Sequence, residues 1–242
     1  MASRPTKAMV LAAGLGLRMR PLTIDRPKPL LPIARKPMIE HVLDALAAGG
    51  VEMAVVNVHY LANQVERALK SRTRPSIVIS DEREELLDTG GGVAKALPKL
   101  GDAPFFVCNS DSLCIAGAGN NFSRMAGLWD DERMDCLMLL APAATSVGYD
   151  GPGDFAMAPD GVLRRRKERE IVPFAFTGTS LASPRLFRDA PAGAFSLNLL
   201  WDRAIEAGRL YGLRLDGLWM HVGTPDALAR AERALTTGEH DF

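Results

Sequence analysis

An apolar run of strand length, residues 8–12, ends at Gly14 and Gly16 and opens into a basic stretch. A strand with no polar face is one buried on both faces, the mark of a parallel sheet with helices on either side. Later segments keep to that plan. Pro37 opens a stretch in which Met38, Ile39, Val42, Leu43 and Leu46 recur at helical spacing, and Gly49-Gly50 ends it as a C-terminal cap. Strand-like runs at 53–58, 76–80, 105–108 and 136–140 alternate with helical ones at 62–70, 92–97 and 122–129. Such alternation predicts right-handed βαβ crossovers, hence an α/β fold with a doubly wound, mostly parallel sheet.

After about residue 145 the rhythm changes. Gly148, Gly151, Pro152 and Gly153 mark a loop, followed by short strands at 155–158 and 162–164, a strand at 174–181, a helix at 197–207, a strand at 211–215 and a closing helix at 225–235 with Gly238 beyond it. This reads as a mixed α+β extension of the same core. With no internal repeat and no long Pro/Gly/Ser linker, residues 1–242 are expected to form a single domain.

Composition narrows the function classes. The 29 Lys+Arg balance 29 Asp+Glu and aromatics are only 6%, so general nucleic-acid binding is not expected. Cys108, Cys114 and Cys136 are odd in number and lack CxxC spacing, which predicts buried, reduced core thiols. The first apolar run is too short for a signal-peptide core, and no segment approaches the ~18 apolar residues of a membrane span, so a cytoplasmic protein with no membrane partner is expected.

Charge is uneven, however. Between residues 4 and 36, Arg4, Lys7, Arg18, Arg20, Arg26, Lys28, Arg35 and Lys36 face Asp25 alone, a net +7 in a neutral chain. Beside glycines that let a backbone bend sharply and approach a ligand, this points to a polyphosphate site. A dinucleotide fingerprint would need a small residue where Met19 stands, and the Gly-Lys-Ser/Thr of a P-loop is absent. Phe105-Phe-Val-Cys-Asn-Ser-Asp111 is a buried strand ending in a carboxylate, which delivers Asp111 to the sheet edge where open α/β folds bind ligands and where it can hold Mg²⁺; Asn-Ser-Asp is also ordinary turn chemistry. Asp88-Thr-Gly-Gly-Gly-Val93 alone could also be a flexible helix entry, and Phe174-Ala-Phe-Thr-Gly-Thr-Ser180 is equally a half-buried strand. His41, His59 and His240 sit in no ligand spacing.

The segment 11–32 resembles the opening of the sugar-1-phosphate nucleotidyltransferase family, whose pattern is similar to LxAGxGxRxxPLT…PKPL; every motif position is present. The resemblance runs from about Lys7 to the final helix. It is strongest to the short bacterial branches, the N-acetylmuramate 1-phosphate uridylyltransferases of cell-wall recycling and the mannose 1-phosphate guanylyltransferases. Nothing resembles the left-handed β-helix of acetyltransferase-fused members.

The resemblance implies a Rossmann-like nucleotidyltransferase fold, with a nucleotide-binding half at about 7–145 and a sugar-binding half at about 146–242. It implies transfer of a nucleotidyl group from a nucleoside triphosphate to a sugar 1-phosphate with Mg²⁺, Mn²⁺ being the alternative ion, by a monomer or homodimer. It assigns Leu11, Ala12, Ala13, Gly14 and Gly16 to the nucleotide, Arg18 to the triphosphate and Lys28 to the α-phosphate. Gly90 and Gly91 would read the nucleobase through backbone amides and carbonyls, with Glu82 a weaker contact; Asp111 would hold the metal; Thr177 and Gly178 would line the sugar pocket. Arg164, Arg165, Arg166 or Lys167 could meet the sugar phosphate, strand alternation leaving the choice open. Trp219-Met-His-Val-Gly-Thr-Pro225 departs from the family's W-x-D-V-G-T-P: His221 replaces the second metal carboxylate, and is expected to act through a metal-bound water or a phosphate because imidazole suits a hard cation poorly. The rival reading of another class is a non-catalytic sugar-nucleotide sensor; intact Arg18, Lys28 and Asp111 weigh against it.

Overall fold

The computed structural model describes residues 4–237, the Thr237 side chain excepted; Gly238 and His240 lie outside the described residues. In chain order the elements are β1 (Lys7–Leu11), β2 (Pro32–Ile33), β3 (Lys36–Pro37), α1 (Met38–Ala48), β4 (Met53–Val58), α2 (Ala62–Leu69), β5 (Ser76–Asp81), α3 (Asp88–Leu100), β6 (Phe105–Asn109), β7 (Ser112–Ala116), α4 (Asn121–Leu128), β8 (Cys136–Pro142), β9 (Phe155–Met157), β10 (Leu163–Arg165), β11 (Phe174–Ala182), α5 (Leu197–Glu206), β12 (Leu210–Arg214), β13 (Gly217–His221) and α6 (Pro225–Thr237).

The central sheet runs β5-β4-β1-β6-β11-β8-β12. Of these seven strands β11 alone is reversed: β5, β4, β1 and β6 pair in parallel, β11 is antiparallel to β6 and β8, and β12 is parallel to β8. The hairpin β9-β10 attaches at the start of β11, where Phe174 pairs with Phe155. The sheet is therefore mixed but mostly parallel, as the alternation predicts.

The unbroken apolar character of β1 has a direct use. Ala8 and Val10 pack with α1, α2, α4 and α6 on one face, while Met9 packs with α3 and α5 on the other. The α1 residues picked out by helical spacing, Met38, Ile39, Val42, Leu43 and Leu46, are all buried, and removing each such side chain from water is worth about 1.5–3 kcal/mol before entropy is counted. No described helix is long and apolar enough to cross a membrane.

Boundaries fall within a residue or two of expectation except at α3. The triple glycine 90–92 forms the first turns of α3 rather than a loop before it. Two short pairings were not legible, the β2-β3 hairpin and the β7-β13 ribbon, in which His221 faces Ser112. Cys108 and Cys136 are buried, and burial pushes each thiol up to about 12, but Cys114 on β7 is exposed.

Candidate active site

In the sheet order β1 stands between β4, which continues one way, and β6, which lies on the other side. The chain thus reverses direction across β1, and loops leaving β1 and β6 must splay apart at their C-terminal ends, opening a crevice. A cleft of about 730 Å³ lies there. Leu11, Ala12, Ala13, Gly14, Gly16 and Arg18 form one wall, Lys28 and Pro29 another, and Asn109, Ser110 and Asp111 the end of β6.

The glycine loop is built for close approach. Gly16 has φ +63, and a Cβ there would stand 3.1 Å from Thr23 Cγ2 and 3.3 Å from Lys28 Cβ, so glycine lets the loop fold onto the lysine segment. The buried Thr23 hydroxyl donates to the Gly16 carbonyl at 2.8 Å and pins the turn. Gly14 has nothing within 4 Å of its Cβ position, so its bare side leaves open space in the cleft. The Ala12 amide donates to Asn57 Oδ1 at 2.7 Å.

Lys28 begins a short 3-10 turn between Pro27 and Pro29, and its Nζ is ion-paired to Asp111 Oδ2. Asp111 follows β6, whose line is extended by the Ser110 amide donating to the Leu11 carbonyl at 3.1 Å. The loops from β1 and β6 are thereby locked together at the residues that carry charge. The remaining basic residues of segment 4–36 do not join them. Arg4 donates to the Gly49 carbonyl, Lys7 to the Lys99 carbonyl, and Lys36 pairs with Asp44, so among the described residues only Arg18 and Lys28 of that run line the cleft.

Three expected contacts with the nucleotide lie behind the cleft wall. Glu82 is 1% exposed; its Oε1 accepts from Asn57 Nδ2 at 2.9 Å and its Oε2 from the Leu87 amide at 3.3 Å. Its carboxylate therefore holds Asn57 in place rather than meeting a ligand. Gly90 and Gly91 are buried, and both amides donate to the Phe195 carbonyl, at 2.8 and 3.1 Å. Those amides are spent, and what requires glycine is packing: a Cβ would stand 2.3 Å from the Phe195 ring at Gly90 and 2.3 Å from the Gly193 carbonyl at Gly91. Leu86, Asp88 and Thr89 occupy the wall instead.

A second cavity of about 320 Å³ adjoins the first and shares Asp88, Thr89 and Asn109 with it. Gly178, at φ +85 in a bulge of β11, lines it and lies against the Asn109 side chain, where a Cβ would come within 2.7 Å of Nδ2. Thr177 does not: it is 1% exposed and its hydroxyl donates to the Leu139 carbonyl at 2.9 Å, tying down the same bulge. Of residues 164–167, only the one that ends β10 faces this cavity. Arg165 lines the cavity; Arg164 turns outward onto Glu170, and Arg166 donates to the Lys167 and Glu170 carbonyls, while the Lys167 amide donates to Glu170. Asp154, Asn198 and Trp201 also line it and carried no sequence signal.

His221 lies beside the cleft. Its amide donates to the Val147 carbonyl at 2.8 Å, and its ring sits 5.4 Å from the Trp219 ring and 6.0 Å from Tyr149. Burial pushes the imidazole below its usual value; Asp111 pulls it up, Lys28 and Arg18 push it down, and Asp154 pulls it up. The β7-β13 register places His221 across from Ser112, which follows Asp111 of the cleft.

No group of three or more His, Cys, Asp or Glu side chains that could hold a metal exists among the described residues. Two carboxylates line the cleft, Asp88 and Asp111, and such a set fits a hard cation that takes one or two protein carboxylates and fills its shell with phosphate oxygens and water. The donor set suits a cation that arrives on a polyphosphate, and not one stored by the protein.

The family model described as "Nucleotidyl transferase" matches residues 7–146. The N-acetylmuramate alpha-1-phosphate uridylyltransferase of Caulobacter vibrioides is 48% identical over 239 residues, 97% of this chain and 99% of that protein. The enzyme of that name from Neisseria meningitidis serogroup B is 34% identical, over 93% of this chain and 96% of that one. Among solved structures, HddC from Yersinia pseudotuberculosis complexed with GMP-PN superposes with a TM-score of 0.78 at 21% identity, covering 96% of this chain and 100% of that chain, which shows a shared fold.

Proposed function

Since the chain belongs to the nucleotidyl transferase family, we propose that it is a sugar-1-phosphate nucleotidyltransferase whose substrates are UTP and N-acetylmuramate 1-phosphate, working in the cytoplasm. The observation that carries this reading is the pair of adjoining cavities sharing Asn109, with Lys28 and Asp111 in the larger one. Two substrates that must touch at one phosphorus need two chambers with a common wall. The larger chamber, made chiefly from the first half of the chain, takes the nucleotide, and the smaller, made chiefly from residues after 145, takes the sugar.

The sugar phosphate oxygen attacks the α-phosphorus, forming one P–O bond as the α–β bridge breaks and pyrophosphate leaves. The nucleophile is already an anion, so no base is needed, and the chain's task is to position and to neutralise charge. Gly14 and Gly16 let the triphosphate lie against the backbone. Arg18 holds its outer phosphates. Lys28 leaves Asp111 for the α-phosphate, where charge builds in the transition state. A divalent cation, Mg²⁺ in this reading, held by Asp111 and phosphate oxygens, would supply further neutralisation of the leaving pyrophosphate. Glu82 acts at one remove, through Asn57 and the Ala12 amide.

Pyrophosphate release from UTP, GTP, ATP and CTP against N-acetylmuramate, N-acetylglucosamine and mannose 1-phosphates, with Mg²⁺ or Mn²⁺, tests the reading. UTP with N-acetylmuramate 1-phosphate is the expected best pair. GTP with mannose 1-phosphate as best pair would refute the substrate assignment, and ligand binding without any pyrophosphate would identify a sensor.

A further inference from the structure

The sugar cavity is lined by one cation, and that cation is not on the path of phosphoryl transfer. Arg165 is the only Lys or Arg lining the smaller cavity among the described residues, and it does not line the nucleotide cleft. The sugar phosphate must reach the α-phosphorus in that cleft, where Lys28 and Arg18 already stand. A cation in the neighbouring chamber is therefore positioned for a different part of the sugar.

The side chain is also held ready. Its Nε is ion-paired to Asp202, its Nη2 donates to Asn198 Oδ1 at 3.0 Å, and its guanidinium lies 5.3 Å over the Phe155 ring. These three contacts fix the plane of the fork and leave Nη1 without a protein partner among the described residues. A fixed planar guanidinium with an unspent edge is suited to a carboxylate. Close by, Phe176 and Trp201 make an apolar wall, edge to face with centroids 5.0 Å apart. Asp202 lies outside the cavity lining and is half exposed, so water screens its hold on the arginine.

We propose that Arg165 forms a carboxylate subsite of the sugar pocket, which selects sugar 1-phosphates bearing a short acidic substituent over their uncharged counterparts. N-acetylmuramate differs from N-acetylglucosamine by one such group, a lactyl ether with a methyl and a carboxylate, which the Phe176–Trp201 wall and Arg165 complement in turn. This rests on the proposed uridylyltransferase reading and goes beyond it, because it names the residue that discriminates between the two amino sugars.

The test is a ratio. The kcat/KM for N-acetylmuramate 1-phosphate divided by that for N-acetylglucosamine 1-phosphate is measured in wild type and in Arg165→Gln. The ratio is expected to fall about 10–100-fold, the worth of one charge-assisted hydrogen-bonded contact. If both sugars lose efficiency in equal proportion, Arg165 serves the phosphate they share and the proposal is overturned. On the substrate side, wild type should lose a similar factor when the lactyl carboxylate is converted to its carboxamide, a measurement that needs no variant to fold; equal use of acid and amide also overturns the proposal. A wild type that favours an uncharged sugar outright would instead overturn the substrate reading on which it rests.

Discussion

Lys28 and Asp111, 83 positions apart in the chain, are ion-paired where the loops from β1 and β6 meet. Their side chains are 15% and 29% exposed, so both charges are partly withdrawn from water yet open to the cleft. Each is the other's temporary partner. Under the proposed function, a polyphosphate would compete for the lysine and its cation for the carboxylate, so ligand binding would exchange one compensated pair for two and leave no charge stranded in a partly buried site.

Lys28→Met removes the cation that the proposed function assigns to the α-phosphate. kcat is expected to fall on the order of 10²–10³, the usual cost of losing one preorganised charge donor. Because Asp111 keeps solvent access, the melting temperature should hardly move. Steady-state kinetics beside a thermal melt checks this, and near wild-type kcat would remove Lys28 from the chemistry.

Asp111→Ala should abolish metal-dependent turnover in a chain that still folds, since the carboxylate sits after β6 and outside the hydrophobic core. Asp111→Asn should retain a trace, because the amide oxygen still offers a neutral ligand. Circular dichroism separates the two explanations of lost activity: a native spectrum supports the metal role, and a collapsed one makes Asp111 a folding residue.

The glycines divide into two classes with opposite signatures. Gly90→Ala puts a methyl 2.3 Å from the Phe195 ring, and overpacking of this kind is expected to destabilise by about 1–3 kcal/mol, visible as a lower melting temperature. Gly14→Ala meets nothing within 4 Å, so stability should hold while the KM for the nucleoside triphosphate rises as the methyl enters the cleft. If Gly90→Ala melts like wild type and only its KM changes, Gly90 contacts nucleotide after all.

What the sequence made legible follows from how each signal is written. The parallel sheet shows because β1, β4 and β6 are buried on both faces and read as apolar runs, and the glycine loop shows because Gly14, Gly16, Arg18, Lys28 and Asp111 lie at fixed spacing after strands. The β7-β13 ribbon stayed hidden because its irregular, half-buried pattern has no clean alternation, and it is the ribbon that brings His221 opposite Ser112. Composition could not tell a glycine bare for a ligand from one bare for a neighbour: Gly14 and Gly90 look alike until Phe195 is seen against the second. Asn109, Asp154, Asn198 and Trp201 converge from β6, the loop before β9, and α5, a meeting that local spacing does not encode.

His221 gives the remaining prediction, and its sign follows from burial. The imidazole is held below its usual value, chiefly because burial penalises the charged ring, so above pH 6.5 it is neutral whether the chain is folded or not. Below pH 6.5 the unfolded chain takes up a proton before the folded one does, so this residue's contribution to stability is complete above 6.5 and is lost as pH falls toward the lowered folded value. Activity should follow the same direction. Under the proposed function, a charged ring across from Ser112 would add positive charge near Asp111, so the metal concentration for half-maximal rate should rise as pH falls below 6.5. His221→Asp should lower that concentration at neutral pH by offering another carboxylate, and should remove the acid limb below pH 6.5. Rates measured across Mg²⁺ concentration and pH decide it: if His221→Ala tracks wild type at every point, residue 221 takes no part in holding the cation or the phosphates.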